Sequence, residues 1–199
     1  MTKIAIILGS TRPGRFGIQP AEWITNYAKE KFGDKAEFEL VDVQSFNLPL
    51  LDEPMPPMMG QYTQEHTKNW AAKINEFDGY VMVTAEYNHS VPAAMKNAID
   101  FLYAEWGYKP VSFVSYGAAG GGIRAVQHLR TVTSQLRMYN IQEGLHLFNY
   151  FTNLDDKGQY KFDEANEQAA TALLDQTIFW AEHMKPGREA LAAAQPVKH

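Results

Sequence analysis

The chain has 199 residues, of which 45% are hydrophobic and 21% are charged, and its formal net charge is −5. This composition is typical of a globular domain with its own core, and the negative charge argues against a nucleic acid or a membrane surface as partner. The sequence contains no cysteine. That excludes disulfides, thiol nucleophiles and cysteine-bound metals, so any redox chemistry requires a bound cofactor.

Five short apolar runs predict five β-strands. The first, third and fourth are apolar on both faces, which is typical of parallel strands covered by helices. The second run alternates and suits a sheet edge, and the fifth is the weakest. The runs are Lys3–Leu8, Phe38–Val43, Tyr80–Thr84, Val111–Tyr116 and Leu145–Phe148.

Apolar residues at helical spacing predict one helix after each strand. The first runs from about Gly17 to Phe32, and the fifth from Asp163 to about Met184. We expect Ser90 to cap the third helix, with Pro92 in its first turn. The second, third and fourth helices are marked by the sets Trp70, Ala71, Ile74 and Phe77; Met95, Ala98, Ile99 and Leu102; and Val126, Leu129, Thr133 and Leu136.

This alternation predicts a three-layer α/β fold with a parallel sheet and helices on both faces. Five strands favour the flavodoxin-like strand order 2-1-3-4-5 over the six-stranded Rossmann order. Residues 1–185 are expected to form this single domain, and residues 186–199 a tail that is either a frayed helix or a loose terminus. The first apolar run is too short for a signal-peptide core or a membrane span, so we expect a cytoplasmic protein. The scattered histidines predict no metal site.

Three unusual loops follow the first, third and fourth strands, which are neighbours in this strand order. Loop 1 is GSTRPGR (Gly9–Arg15), loop 2 is AEYNHSVP (Ala85–Pro92) and loop 3 is GAAGGG (Gly117–Gly122). In open α/β sheets, ligands bind beyond the carboxyl ends of the strands, at the point where the strand order reverses. We therefore expect the three loops to form one binding site.

Loop 1 has the composition of an anion site. It leads into a helix, whose N-terminus offers free N–H groups and a favourable dipole to an anion. Ser10 and Thr11 add hydroxyl donors, and Arg12 and Arg15 add positive charge. Arg15 stands where an ATP-binding loop has its lysine, and the dinucleotide pattern GxGxxG is missing, so the simplest ligand is a single terminal monophosphate. A solvated turn with two incidental arginines is the alternative.

Loops 2 and 3 suit a flat polar ring. Loop 2 combines an acid, an aromatic ring, an amide and a hydroxyl, and Tyr87 is expected near the edge or face of the ring. Loop 3 has almost no side chains, so a planar ring can lie against its main chain and receive N–H donors. A monophosphate and a planar ring together describe a mononucleotide, and flavin mononucleotide (FMN) is the best candidate in a site without cysteine or metal.

Three blocks of the sequence resemble the signature blocks of the NADPH-dependent FMN reductase family. They are LGSTRPGRFG, VTAEYNHSVPAAMKNAIDFLYAEW and GYKPVSFVSYGAAGGGIRAVQHLR, and the similarity spans about Lys3 to Asn149. The resemblance implies a flavodoxin-like fold, non-covalent FMN, NADPH or NADH as electron donor, and a homodimer or homotetramer. One departure concerns loop 2, because many members have proline where this chain has Ala85, and that loosens the backbone before Glu86.

The resemblance also implies the residues of the site. For the FMN phosphate, it implies contacts from Ser10, Arg12, Arg15, Phe16 and Gly17. For the isoalloxazine ring, it implies contacts from Glu86, Tyr87, Asn88, Ser115, Tyr116, Gly117 and Gly120. No catalytic side chain is implied, because the flavin itself performs the hydride transfer.

The implied reaction is a ping-pong oxidation of NAD(P)H, with hydride transfer to flavin N5 and then two electrons to a small acceptor such as a quinone, azo compound, flavin or metal oxyanion. Two alternatives remain open. One is an FMN-binding electron carrier or sensor without turnover, and the other is a hydrolase or transferase acting on a phosphorylated small molecule. The missing lysine of loop 1 and the lack of a nucleophile-base pair argue against the second.

Three further features have both a structural and a functional interpretation. The long segment Leu48–Tyr62, rich in proline and methionine, is a lid, a subunit contact or a packed connector. The aromatic group Phe101, Tyr103, Trp106 and Tyr108 is core, a wall of the flavin site or an oligomer interface, and we favour the interface. Arg124 and His128, one helical turn apart, are a solvated face or a contact for the NADPH phosphate.

Overall fold

The computed structural model describes residues 1–194, which contain five strands and five α-helices. The strands are β1 (Thr2–Leu8), β2 (Ala36–Asp42), β3 (Gly79–Ala85), β4 (Pro110–Tyr116) and β5 (Tyr139–Leu147). The α-helices are α1 (Ile18–Phe32), α2 (Glu65–Asn75), α3 (Ala93–Asp100), α4 (Ile123–Gln135) and α5 (Glu164–Ala194). No helix within these residues is long and apolar enough to cross a membrane.

The strands form one parallel sheet in the order β2-β1-β3-β4-β5, which confirms the predicted flavodoxin-like order. β1, β3 and β4 are adjacent, so the three loops that follow them leave from the same edge of the sheet. We call this the carboxyl edge, and the opposite edge, where the strands begin, the amino edge.

Two buried clusters lie on the two faces of the sheet, as expected for strands that are covered on both sides. Successive side chains of a strand point to opposite faces, and β1 follows this rule. Ile6 packs in the cluster with α1 and α5, whereas Ile7 packs in the cluster with α2, α3 and α4. The helices thus bury their apolar stripes on both faces, which completes the three predicted layers.

Two element boundaries differ from the prediction. β5 begins at Tyr139, well before the expected Leu145, because it is an edge strand whose first half has a single buried residue, Ile141, and forms no apolar run. α5 does not stop near Met184 but continues through Pro186 to Ala194. Arg188 of this last part is fixed by an ion pair with Asp78. Residues 195–199 of the predicted tail lie outside the described residues.

Two predicted roles are wrong. Ser90 does not cap α3, since the helix begins after Pro92 without a side-chain cap, and the Ser90 hydroxyl bonds instead with His128 Nδ1 at 2.9 Å. The favoured interface role fails for Phe101 and Trp106, which are fully buried in the core. Burying both rings stabilises the fold more than exposing them at a surface would.

The segment Leu48–Tyr62 is anchored at both ends and exposed between them. Leu48 and Tyr62 pack against the core, whereas Leu50 and Met58 are 82% and 65% exposed. The Asn97 amide bonds with the carbonyl of Pro49 at 2.6 Å and fixes the segment to α3. Its role as a lid or a subunit contact stays a prediction.

Candidate functional site

The three loops meet at the carboxyl edge, as the strand order predicts. Loops 1 and 2 are joined by the Ser10 and Tyr87 hydroxyls, whose oxygens are 3.3 Å apart. Loop 2 is joined to the helix after loop 3, because Arg124 Nε donates to Glu86 Oε1 at 2.6 Å. The Gly9 N–H donates to the carbonyl of Val83 on β3 at 3.1 Å, which fixes the start of loop 1.

The two arginines of loop 1 have different surroundings. Arg15 forms a two-pronged ion pair with Asp42 at the end of β2 and also donates to the carbonyl of Ser10. Its side chain is only 11% exposed. Arg12 is exposed, and within residues 1–194 its side chain has no hydrogen bond or ion pair. Arg12 is therefore the cation free to meet a ligand, while Arg15 holds the loop against β2.

The N-terminus of α1 adds backbone donors to loop 1. Gly17 precedes the helix, and no side chain in the described part of the chain caps it. The first N–H groups of a helix have no partner within the helix, so an uncapped N-terminus attracts an anion. In α1, the Gln19 N–H donates to the Phe16 carbonyl at 3.0 Å and Pro20 has no N–H, so the donors left without a main-chain partner within residues 1–194 are the Gly17 and Ile18 N–H groups. Phe16 contributes only main chain to this surface, because its ring is buried and stacked on Tyr150 with a 4.1 Å centroid distance.

Tyr116 closes the floor of the site between loops 1 and 3. It is 5% exposed, and Gly17 lies so close that a Cβ there would be 2.6 Å from the Tyr116 hydroxyl. Burial raises the pKa of Tyr116 to about 12, although hydrogen bonds from Ser10 and the Gly17 backbone act in the opposite direction. Tyr116 is therefore a neutral hydroxyl at physiological pH.

Loop 2 forms a tight two-residue turn. Tyr87 and Ser90 exchange two backbone hydrogen bonds of 2.9 Å, and Asn88 and His89 between them have φ of 51° and 64°. Positive φ at both central positions is the type I′ geometry, which asparagine tolerates well. The turn presents the Tyr87 ring, 39% exposed, at the carboxyl edge.

Glu86 links loop 2 to α4 and is not a free carboxylate. Its side chain is 7% exposed and accepts from both the Arg124 backbone N–H and the Arg124 guanidinium. Burial alone would raise the pKa of Glu86, but the hydrogen bonds and the charge of Arg124 outweigh it and lower the pKa. Because His128 is likewise bonded to Ser90, both residues suggested for an NADPH phosphate also fix loop 2.

Loop 3 is held from below by a buried hydroxyl. The Ser115 hydroxyl donates to the Gly121 carbonyl at 2.7 Å and also bonds with His146 Nδ1 at 2.8 Å. Burial, followed by the charge of Arg130, lowers the pKa of His146. Ser115 itself has no exposed surface, so its side chain shapes the loop from beneath.

Gly117 and Gly121 of loop 3 are required by the packing of the protein itself, whereas Gly120 is not. Gly121 has φ of 56°, and a Cβ there would be 2.8 Å from Phe148 Cδ1. A Cβ at Gly117 would be 3.0 Å from the Gly122 nitrogen, whereas at Gly120 it would meet only the movable end of Arg124. The loop therefore exposes main chain, as predicted, and packs too closely for most side chains.

Sequence reasoning missed three residues of the site. Asp42 binds Arg15, Phe148 lies against Gly121, and Tyr150 stacks on Phe16. Their positions offered a signal, because Asp42 ends β2 and the two aromatics follow β5, both at the carboxyl edge. These contacts join partners far apart in sequence, so no local pattern reveals them.

The donors at loop 1 fit a monophosphate. The Thr11 hydroxyl, the free Arg12 guanidinium and the uncapped α1 N-terminus belong to loop 1 and to the helix that follows it. Ser10 is only 1% exposed, and its hydroxyl is bonded to that of Tyr87. A cavity of about 190 Å³, lined in part by Thr11 and Asn97, lies beside loop 1. No cluster of three or more histidine or acidic residues suited to a metal occurs within residues 1–194.

Comparisons with known proteins agree with this geometry. The profile of the NADPH-dependent FMN reductase family matches residues 2–153. The NAD(P)H-dependent FMN reductase ntnL of Nectria sp is 44% identical over 125 residues, which cover 61% of this chain and 62% of that protein. The chain thus matches about three fifths of the length of that relative.

A second relative and a solved structure extend the match. The 2-hydroxy-1,4-benzoquinone reductase of Burkholderia sp is 29% identical, over 89% of this chain and 95% of that protein. Among solved structures, FerB, an NAD(P)H:(acceptor) oxidoreductase from Paracoccus denitrificans, superposes with a TM-score of 0.71 at 20% identity, covering 92% of this chain and 99% of that chain. At this low identity, the structural likeness shows the fold alone.

Proposed function

Because the chain belongs to the NADPH-dependent FMN reductase family, we propose that it binds FMN at the carboxyl edge and transfers electrons from NADPH or NADH to a small acceptor. The observation that carries this proposal is the joining of the three loops. The Ser10–Tyr87 and Glu86–Arg124 contacts bring an anion site and a bare main-chain surface together at the point where the strand order reverses.

Loop 1 would hold the phosphate. Arg12 supplies the free positive charge, Thr11 supplies a hydroxyl donor, and the α1 N-terminus supplies backbone N–H groups. The buried Ser10 hydroxyl would hold loop 1 against Tyr87. Arg15 is a positioning residue, because its ion pair with Asp42 keeps the loop in place. The sequence predicted phosphate contacts from both arginines, whereas here only Arg12 of the two would contact the phosphate.

Loops 2 and 3 would hold the ring. Tyr87 and Asn88 border it on one side. On the other side, the Gly120 N–H, which has no partner within residues 1–194, would be a donor to the ring. Gly117 contributes main-chain surface only, since its N–H donates to the Leu147 carbonyl at 3.3 Å. Glu86 acts through Arg124 by keeping the two loops together. Ser115 and Tyr116 shape the floor, since both side chains are buried.

FMN, when bound, would take a hydride from NAD(P)H and return two electrons to the acceptor in two separate half-reactions. The chain would bind the flavin, orient it and leave one face open. The Gly117 and Gly121 N–H groups donate within the protein, and the other main-chain N–H groups of loop 3 would be preorganised donors that stabilise negative charge on a bound ring. No side-chain acid or base is required, because water can supply the protons at an open site.

We further propose that the acceptor is a quinone, azo compound, flavin or metal oxyanion. The Burkholderia relative is named for a benzoquinone, which supports a quinone among these. A homodimer or homotetramer acting in the cytoplasm completes the proposal. The exposed Leu50 and Met58 of the segment Leu48–Tyr62 support a subunit contact there, and light scattering of the purified protein tests it.

The visible spectrum of the purified protein tests the proposed function. We expect a flavin spectrum, either as purified or after addition of FMN, that NADPH or NADH bleaches under anaerobic conditions and that a quinone then restores. A protein that cannot be loaded with FMN would contradict flavin binding. A loaded protein that neither nucleotide bleaches would instead be an electron carrier or sensor.

A further inference from the structure

A second cavity lies at the amino edge of the sheet, opposite the three loops. Its volume is about 300 Å³, within the range of small-molecule sites. It is bordered by the start of β4, the end of α4 and the last turns of α5. We call it the amino-edge cavity, and its lining residues include Tyr103, Glu105, Tyr108, Lys109, Arg137, Arg188 and Leu191.

The cavity contains a buried lysine without an acidic partner. Lys109 is 4% exposed, and its Nζ donates to the Tyr80 hydroxyl at 2.8 Å and the Ile74 carbonyl at 3.3 Å. An ammonium has three N–H donors, so one remains after these two bonds. A buried charge is normally paired, and within residues 1–194 no carboxylate lies within ion-pair distance of Lys109.

Positive charges outnumber negative ones around the cavity when Lys109 is protonated. Arg188 is paired with Asp78 at 2.6 Å, and Asp78 also binds Lys185 at 3.1 Å. Arg137 donates to the Tyr108 hydroxyl at 3.1 Å, and no carboxylate of the described part pairs with it. Two unpaired cations, Lys109 and Arg137, therefore face one acid, Glu105, which bonds only with neutral donors. An anion in the cavity would reduce this excess of positive charge.

The rest of the lining is aromatic and apolar, and it is held in an unusual backbone geometry. Tyr103 and Tyr108 present rings, and Leu136 and Leu191 add apolar surface. Tyr108 and Arg137 both have φ of 59°, which is rare for bulky residues, and the Tyr108 N–H donates to the Arg137 carbonyl at 2.9 Å. Such strain persists only where surrounding contacts enforce it, and it clusters at ligand sites.

We propose that the amino-edge cavity is a second ligand site that binds a small aromatic carboxylate. The carboxylate would accept from Lys109 and Arg137, and the aromatic ring would pack on Tyr103 and Tyr108. This site is independent of the proposed flavin site, because it lies at the opposite edge of the sheet and shares no residue with the three loops.

The site should be sensitive to pH through Lys109. Burial, followed by the charge of Arg188, lowers the pKa of Lys109 to about 7, although Asp78 and Glu105 act in the opposite direction. Tyr80, the remaining titratable group bonded to Lys109, has its pKa raised well above the usual value by burial, and no histidine lines the cavity. An anion prefers the protonated lysine, so affinity should fall as pH rises above about 7.

The test is a titration of the isotope-labelled full-length protein with benzoate, followed by NMR. We expect binding with a Kd on the order of 1 mM at about pH 6, as is reasonable for so small a ligand. The shifted resonances should belong to the amino edge. Benzamide, which has the same shape without the charge, should bind at least about tenfold more weakly, because it lacks the charge-assisted hydrogen bonds.

Variants of Lys109 separate ligand binding from a purely structural role. Lys109→Met should weaken benzoate binding about tenfold or more, whereas the exposed Lys68→Met should leave it unchanged. Lys109→Arg keeps the charge, so it should bind benzoate with an affinity that does not change between pH 6 and 9. The benzoate affinity of the native protein should fall about tenfold or more over the same pH range.

Several outcomes would overturn the proposal. One is that no resonance of the amino edge shifts at benzoate concentrations of up to about tens of millimolar. The others are that benzoate and benzamide bind with equal affinity, or that FMN displaces benzoate. A native affinity that is independent of pH would remove Lys109 from the site. None of these results depends on NAD(P)H oxidation, so the proposed reductase activity stands or fails separately.

Discussion

Arg12 and Arg15 show how one residue type takes two roles within a single loop. Both were expected to contact the phosphate, because each adds a positive charge to loop 1. In the structure, Arg15 is committed to Asp42, whereas Arg12 remains free within the described residues. A paired and partly buried guanidinium is costly to redirect, since its carboxylate partner would lose its bond. We therefore propose Arg12 as the ligand-binding charge of loop 1.

We predict that Arg12→Ala weakens FMN binding roughly tenfold to a hundredfold, the loss expected for one charge-assisted hydrogen bond. The measurement is a titration of the flavin-free protein with FMN, followed by flavin fluorescence. Lys29→Ala removes an exposed charge from the far part of α1 and should leave the affinity unchanged. Equal affinities of Arg12→Ala and the native protein would remove Arg12 from the site.

At the scale of elements, the carboxyl edge is built from turns whose backbone the protein itself constrains. Loop 2 is a type I′ turn tied to α4 by Glu86, and loop 3 rests on Ser115 beneath and Phe148 beside it. The Glu86–Arg124 and Phe148–Gly121 contacts each join two different strand-helix connections, whereas the Ser115–Gly121 bond lies within one. A rigid site needs such contacts, because a loop that is not held by other elements is the most mobile part of a fold.

We predict that Gly121→Ala destabilises the protein by about 1–3 kcal/mol and lowers FMN affinity, because it combines a positive φ with a close approach to Phe148. Urea unfolding measures the first effect. Gly158→Ala is the matched control, since Gly158 has φ of 74° but no atom near its Cβ position. This variant should therefore lose only the stability that the positive φ costs an alanine.

Adding Phe148→Ala to Gly121→Ala should recover part of the lost stability, because the close contact disappears. If the two changes are simply additive in the free energy of unfolding, Phe148 does not constrain loop 3.

At the scale of the whole molecule, the sheet separates two polar regions. The carboxyl edge carries the three loops, and the amino edge carries Lys109 and the ion pairs of Asp78 with Lys185 and Arg188. Those ion pairs attach the last turns of α5 to the start of β3. They explain why the helix continues past Pro186, where its sequence suggested an end.

Lys109 makes the stability of the whole fold depend on pH. Its pKa falls from the usual 10.5 to about 7 on folding. Between these two pH values, Lys109 is protonated in the unfolded chain and neutral in the folded protein. Stability should therefore rise with pH in this window, since the cost of a buried ammonium is fully present below about pH 7 and is relieved above it.

Compared with Lys109→Met, the native protein should gain about 2 kcal/mol of unfolding free energy between pH 7 and 9. Urea midpoints of both proteins, with Lys68→Met as a control that behaves like the native protein, measure this difference. Parallel pH profiles of the native protein and Lys109→Met would show that Lys109 stays protonated throughout.

The sequence by itself determined the strand order and the positions of the three loops. The apolar run Lys3–Leu8, the helical stripes and the glycines of loop 3 are local signals, and short-range periodicity and turn chemistry act in the same way in any fold. The resemblance of the three sequence blocks then indicated FMN. Only the tertiary structure decided which charges are free. The pairs Arg15–Asp42, Glu86–Arg124 and Asp78–Arg188 join residues far apart in the chain, and burial, which sets the pKa of Lys109, exists only once the layers have packed.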